Sequence, residues 1–502
     1  MTALKWLFAV LCLSLLWGCT CLAEIRYRHD VDPAPVVVNE KAPDVACGPK
    51  DAASDAHAYS MEQLADADDA WAGYVEFDDE GWIYTPRNRE PTQLQAFEKR
   101  LRGELSNPAY DSSDFLVVAF VHGWHHNANA EDCNVHEFRA MLKIAAQRYA
   151  QAAQVPGALP HPRRIVGVYV GWRGESVNLE GANETTVLDR NNAADRVARG
   201  DVREVFATLR KIQIEQSQKK FGDAPRADRM RTVVIGHSFG GLIAFHGLSP
   251  AVLNELTLTK PDDATAGCKP TLAWNRASSK TPAISKASAV SPAVQSALAP
   301  VFPDMLVLIN PAFEATRFET LHELMRPSQG CSYDGMDQVQ KPKVIVVTAD
   351  NDQWTGKVFT AGRTVLTALE AYPRAGDDGK PSRERDANTH AIGFTERYVT
   401  HRLCLKSGAD GKAFAVASLT PPADPDWTPL ERFAPVWVVR APPEIINGHD
   451  GFLFAKPGAD GKQAPYLLDW LVDIDLSESI RNSQALVGTN QCLAGTAGAA
   501  PS

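Results

Sequence analysis

The chain has 502 residues, 44% of them hydrophobic and 22% charged, which is enough for one large core with insertions or for two domains. Its net charge of -10 excludes the basic footprint that a nucleic-acid binder needs, so no nucleic-acid partner is expected. Beyond the first residues, no stretch is long and apolar enough to cross a bilayer as a helix.

Lys5 followed by the apolar run Trp6 to Trp17 reads as a targeting segment, too short to span. The run ends in Leu16-Trp17-Gly18-Cys19, which resembles a bacterial lipobox. That resemblance implies lipidation of Cys19 and, because Thr20 rather than Asp follows, an outer-membrane lipoprotein. An ordinary signal peptide cut after Cys21-Leu22-Ala23 is the alternative, giving a periplasmic or secreted protein. Residues 1–23 are therefore set apart as the leader. Seven cysteines lie beyond Cys19, so at least one stays unpaired if the rest form disulfides, and spacing does not give their connectivity.

Residues 24–110 form a tether and an N-terminal extension. The Pro-rich stretch to Lys50 reads as the tether, and the acidic and aromatic stretch from Ala52 to Arg102 as a subdomain or partial cap. Phe115 to Val121 is a continuous apolar run suited to a buried parallel strand, ending in His122-Gly123-Trp124. A helix over about 135–153 follows, then a strand over 165–170 and a helix over about 193–220. Thr232 to Ile235 is the next strand. Further strands are expected at Met305 to Ile309, Val344 to Val347 and Val436 to Val439, with a final helix from Pro465 to Ile474. This alternation predicts an α/β fold with a mostly parallel sheet flanked by helices, over residues 111–490. Two insertions, about 254–302 and 373–435, break the rhythm. Gly408 to Lys412 and Gly458 to Lys462 share the sequence Gly-Ala-Asp-Gly-Lys and read as turns. Residues 491–502 read as a disordered tail.

Gly236-His237-Ser238-Phe239-Gly240 lies between the strand at 232–235 and the apolar segment Leu242 to Leu248. A serine is a poor nucleophile unless a tight turn projects its hydroxyl toward a base, and such a turn needs flanking residues without Cβ. Ser238 is therefore the candidate nucleophile. The next helix points free N–H groups at developing negative charge, so Phe239 is a candidate oxyanion donor, with Trp124 after Gly123 as the second. Asp350 and Asp352, on the turn after Val347, are candidates for the orienting acid. His449 is the candidate base, set in Asn447-Gly-His-Asp-Gly451 after the last strand; His390, inside the second insertion, is the alternative. His237 reads as a packing and orienting group. His122, His125 and His126, with Asp132 and Cys133, match no standard ligand spacing, so no metal is expected.

Together, the Gly236–Gly240 elbow, the His122-Gly123 loop, the Asp352 turn and His449 resemble the α/β-hydrolase superfamily, and within it exported bacterial serine esterases and lipases. The resemblance covers about residues 114–475 without the insertions. It implies the order Ser238, Asp352, His449, because the acid sits last in the family's Gly-x-x-Asp pattern, with Asp350 the fallback. It implies hydrolysis of a small-molecule or lipid carboxylic ester through an acyl-enzyme, without a cofactor. Amide or peptide hydrolysis on the same triad, and a non-catalytic envelope lipoprotein with this fold, are the other readings.

Overall fold

The computed structural model describes residues 26–31, 35–38, 59–65, 67, 70–85, 91–175, 187–222, 224–257, 302–326, 331–332, 341–370, 383–408, 411–420, 434–453, 464–477 and 492. In chain order the strands are β1 (Val36–Val38), β2 (Met61–Leu64), β3 (Trp71–Glu76), β4 (Asp114–Val121), β5 (Arg163–Gly171), β6 (Lys220–Phe221), β7 (Ala224–Pro225), β8 (Met230–His237), β9 (Met305–Ile309), β10 (Val344–Ala349), β11 (His401–Ser407), β12 (Ala413–Leu419) and β13 (Val436–Ala441). The helices are α1 (Gln93–Leu105), α2 (Cys133–Ala153), α3 (Val187–Arg199), α4 (Val202–Gln218), α5 (Phe239–Thr257), α6 (Thr316–Leu324), α7 (Phe359–Leu366), α8 (Arg383–Thr389) and α9 (Tyr466–Leu476).

An 11-stranded sheet runs in the order β1-β2-β3-β5-β4-β8-β9-β10-β13-β11-β12. Every neighbouring pair is parallel except β2 with β3 and β11 with β12. The fold is thus α/β with a mostly parallel sheet. Strands β4, β10 and β13 are buried along their whole length, as the apolar runs Phe115–Val121, Val344–Val347 and Val436–Val439 within them require. From β4 the chain steps to β5 on one side, then crosses back to β8 on the other. Strand order reverses between β4 and β8, so a crevice opens beyond their carboxyl ends. Helices α2 and α9 pack together, while α1, α3, α4, α5 and α6 contact one another in series. Two helical layers follow from right-handed crossovers that change direction at this switch point.

Three departures from the sequence reading have local causes. The helix expected over 193–220 is two helices, because the loop before Tyr84 wedges between them. Asp201 donates its N–H to Gly81 O at 2.7 Å, and its carboxylate accepts from Ile83 N at 3.0 Å. The stretch expected to hold a subdomain or partial cap instead extends the sheet through β2 and β3, with α1 laid across it. Thr92 and Gln95 close a capping box at the start of α1, and Phe97, Leu101 and Leu105 form its buried face. Part of the expected tether is bound into the fold, since Arg28 is fully buried and Val36–Val38 is a strand.

The second insertion includes the hairpin β11–β12, which widens the other edge of the sheet. Its turn carries Gly411 at φ 78°, as Asp-Gly turn chemistry anticipates. Gly458 to Lys462 and the expected tail apart from Cys492 lie outside the described residues, as do the leader, Cys19 and most of the first insertion. A disulfide joins Cys404 of β11 to Cys492, and Cys133 and Cys331 are also disulfide-bonded. No helix among the described residues is long and apolar enough to cross a membrane.

Candidate active site

Strand β8 ends at His237, and Ser238 follows at φ 55° before α5 begins at Phe239. That left-handed conformation is costly for a residue with a Cβ. It is held by neighbouring chain: Ser238 N–H donates to Ile309 O at 3.0 Å, and Ser238 O accepts from Gly241 N at 2.9 Å and Ala312 N at 3.1 Å. Gly240 is required because a Cβ there would stand 2.1 Å from Val121 O. The turn therefore presses directly on the exit of β4.

The acid and base arrive from β10 and β13. His449 Nε2 lies 2.8 Å from Ser238 Oγ, and His449 Nδ1 lies 2.9 Å from Asp352 Oδ2. Asp352 is 2% exposed and is itself fixed by the turn it starts. Its Oδ1 accepts from Trp354 N at 2.9 Å and Thr355 N at 3.2 Å, while Thr355 Oγ1 donates to Oδ2. Burial alone would raise the Asp352 pKa, but the hydrogen bond and charge of His449 outweigh it and hold it below the usual carboxylate value. Burial alone would lower the His449 pKa, but Asp352 outweighs it and holds it above the usual imidazole value.

The alternatives are engaged elsewhere. Asp350 pairs with Arg440 at 2.9 Å and with Arg402 at 3.5 Å. His390 turns Nδ1 onto Asp386, at 3.0 Å from its carboxylate.

The two candidate oxyanion donors are oriented by the other ends of their peptides. Because a trans peptide points C=O and N–H in opposite directions, the bonds to Ser238 O turn Phe239 N–H the other way. At the β4 exit, His122 Nδ1 sits 2.9 Å from Gly123 O, so Trp124 N–H also points away from His122. His122 Nε2 accepts from Trp172 N at 3.0 Å, which assigns the Nδ1–H tautomer. Burial depresses the His122 pKa to about 4, so it stays neutral. Gly123 packs onto the elbow, where a Cβ would meet Ser238 Cβ at 2.9 Å. Trp124 and Phe239 face each other at 6.4 Å, and Trp354 meets Trp124 edge-on at 5.5 Å. Trp172, just past the end of β5, is 2% exposed, stacks on His122 and donates Nε1–H to His122 O at 2.8 Å.

Asn310 is a connecting residue that the sequence reading did not single out. It is fully buried, has φ 44°, and follows β9. Its Oδ1 accepts from Ala349 N at 2.8 Å, at the end of the strand that leads to Asp352. Its Nδ2 donates to His449 O at 2.6 Å and Gly448 O at 3.1 Å. His237 Nε2 also reaches His449 O, at 2.9 Å, and burial together with the His449 charge lowers the His237 pKa to about 3. The only sequence signal for Asn310 was an Asn tolerant of left-handed backbone at a strand exit.

His237, His449 and Asp450 bring one potential metal-ligating atom each within 4.8 Å of one another. Both His449 nitrogens are already bonded to Ser238 and Asp352, so a metal there would have to break that relay.

The mostly parallel sheet, with its site at the β4/β8 switch point, fits a hydrolase-like α/β fold. No family model matches the chain, and no curated protein matches it. Among solved structures, a phospholipase PlaB from Legionella pneumophila in complex with thio-NAD is similar to 73% of this chain, at 15% identity and a TM-score of 0.27. The similarity spans 59% of that protein's chain.

Proposed function

We propose that this chain is a serine hydrolase that cleaves carboxylic esters through an acyl-enzyme. The observation that carries the reading is the relay in which His449 is 2.8 Å from the Ser238 hydroxyl and 2.9 Å from Asp352. In this mechanism Ser238 Oγ attacks the ester carbonyl while His449 Nε2 takes its proton. Asp352 keeps the other proton on Nδ1 and stabilises the imidazolium. The N–H groups of Phe239 and Trp124 hold the oxyanion, each contributing about 3 kcal/mol to the transition state. His449 then gives its proton to the departing alkoxide. Water repeats the sequence on the acyl-enzyme and frees the acid. None of these steps draws on a cofactor.

The proposal includes export and lipidation at Cys19, as an outer-membrane lipoprotein. The Cys404–Cys492 disulfide supports an oxidising compartment. Mass spectrometry of the mature N-terminus tests this part: an acylated Cys19 supports it, and a free N-terminus downstream removes the anchor.

Purified protein is expected to release p-nitrophenol from short-chain esters, and Ser238→Ala to abolish release while the melting temperature stays unchanged. Retention of full activity in that variant would remove the serine mechanism. Faster turnover of matched amides would move the substrate class to amides.

A further inference from the structure

Helices α3, α4, α5 and α6 meet around a cavity of about 450 Å³, a size ordinary for a small-molecule site. It is separate from the candidate active site. Its lining on α5 begins at Phe245, seven residues past Ser238 and so roughly 10 Å along the helix. Pro250, further along that lining, cannot donate to His246 O, which weakens the α5 ladder beside the cavity.

Two chemistries share the walls. The floor is apolar, with Phe245, Val252 and Leu321 buried and Leu253 half-buried. The rim is basic: Arg199, Arg203 and Arg317 arrive from three different helices, and no carboxylate lines the cavity. The acids behind the rim do not cancel its charge. Asp195 is shared by Arg317 at 3.1 Å, His246 at 3.3 Å and Arg199 at 3.5 Å. Glu314 is shared by Arg317 and, at 2.8 Å, by Arg363. Arg203 donates Nε–H to a neutral oxygen, Ala198 O, at 3.2 Å, and among the described residues no carboxylate pairs with it. Four guanidinium groups therefore face two carboxylates, which leaves two positive charges. Arg199 and Arg203 are both exposed, so their donors are open to a ligand.

The forked donors of arginine match the oxygens of a carboxylate or a phosphate. A bare anion would leave the apolar floor wet, and a neutral hydrocarbon would leave the rim charge unanswered. We infer that this cavity binds a single-chain amphiphile with an anionic head, its chain against Phe245 and Leu321 and its head at Arg199 and Arg203. The inference stands apart from the hydrolase reading, because a chain inert toward esters would still bind.

The test titrates the full chain by calorimetry with decanoate and decyl phosphate below their micellar concentrations. Butyrate, inorganic phosphate and decanol are the comparisons. At least one of the two amphiphiles is expected to bind tenfold or more tighter than all three comparisons, and the tighter of the two identifies the head as carboxylate or phosphate. Amides of 245–253 and 317–321 should exchange at least threefold more slowly in the complex. Arg199→Glu with Arg203→Glu should weaken binding at least tenfold and leave the melting temperature unchanged. No binding of either amphiphile would overturn the proposal, as would slowed exchange confined to other segments. Equal binding of decanol would reduce the cavity to an apolar hole, and equal binding of butyrate or inorganic phosphate would reduce it to a plain anion site. Undiminished binding by the folded double variant would place the head elsewhere and overturn the assignment.

Discussion

The His449 imidazole faces opposing demands, and their balance sets the pH response. In the proposed mechanism it must be neutral to accept the Ser238 proton, yet Asp352 favours its charged form. A raised pKa means that activity falls as pH drops through a value above the ordinary 6.5 of imidazole. Replacing Asp352 with Asn removes the main raising influence and the tautomer lock. Asp352→Asn should lower kcat by roughly 10⁴-fold and move the acid limb of kcat/KM to lower pH. An unshifted limb, measured with a soluble ester, would mean that another group controls it. Asn310 acts one step further out, because it ties the acid strand and the base loop to the same amide. Asn310→Gly keeps the left-handed backbone accessible and deletes those bonds. A base displaced by about 1 Å should cost kcat on the order of a hundredfold with little change in KM. Unchanged kcat would reduce Asn310 to a packing residue. Ser238 and His449 stood out in the sequence because glycines and a strand exit surrounded them. Asn310 also follows a strand but has no flanking glycines, and its role depends on strands far apart in the chain arriving side by side.

Long elements with a clear period were legible, and interrupted ones were not. Strand β4 and helix α2 were evident because one is apolar throughout and the other repeats at helical spacing. Helix α2 packs closely on the neighbouring strand: Gly167 of β5 leaves room for Leu142, whose Cδ1 would lie 2.4 Å from a Cβ there. Leu142 is fully buried, so Leu142→Ala should destabilise the protein by about 2–5 kcal/mol, read from the midpoint of chemical denaturation. A loss under about 1 kcal/mol would mean that α2 closes over the gap. The break between α3 and α4 was invisible because its cause, the 78–85 loop, lies more than a hundred residues earlier. Strands β2 and β3 were missed for a related reason. Met61–Leu64 is short and half polar, and its buried Glu62 makes sense only beside Arg28 and Arg139.

Buried charge ties the extremities of the molecule to its sheet. Glu62 accepts from Arg28 at 2.6 Å, Arg139 at 2.7 Å and Tyr74 at 2.6 Å, and Arg28 also donates to Ala128 O at 2.7 Å. The N-terminal segment is thereby joined to the loop that carries Trp124. At the opposite rim, Asp475 of α9 bonds Tyr149, Arg163 and Arg231. Burial would raise both carboxyl pKa values, but the neighbouring cations outweigh it and hold both far below the usual range. A depressed folded-state pKa gives stability that is complete above the unfolded value, near 4, and lost as pH falls below it. Stability should therefore decline steeply below about pH 4. Glu62→Gln leaves two buried guanidinium groups under-paired, should cost about 3–5 kcal/mol at neutral pH, and should flatten that decline. An equal acid slope in wild type and variant, followed by fluorescence, would locate acid sensitivity elsewhere. The central claim, that the fold makes the Ser238 hydroxyl reactive through His449, is tested most directly by a fluorophosphonate probe followed by peptide mapping. The expected result is a single adduct on Ser238, absent in Ser238→Ala and formed at least a hundredfold more slowly in His449→Ala. Folded wild-type protein that takes up no probe, or takes it up equally fast without the imidazole, would contradict the account.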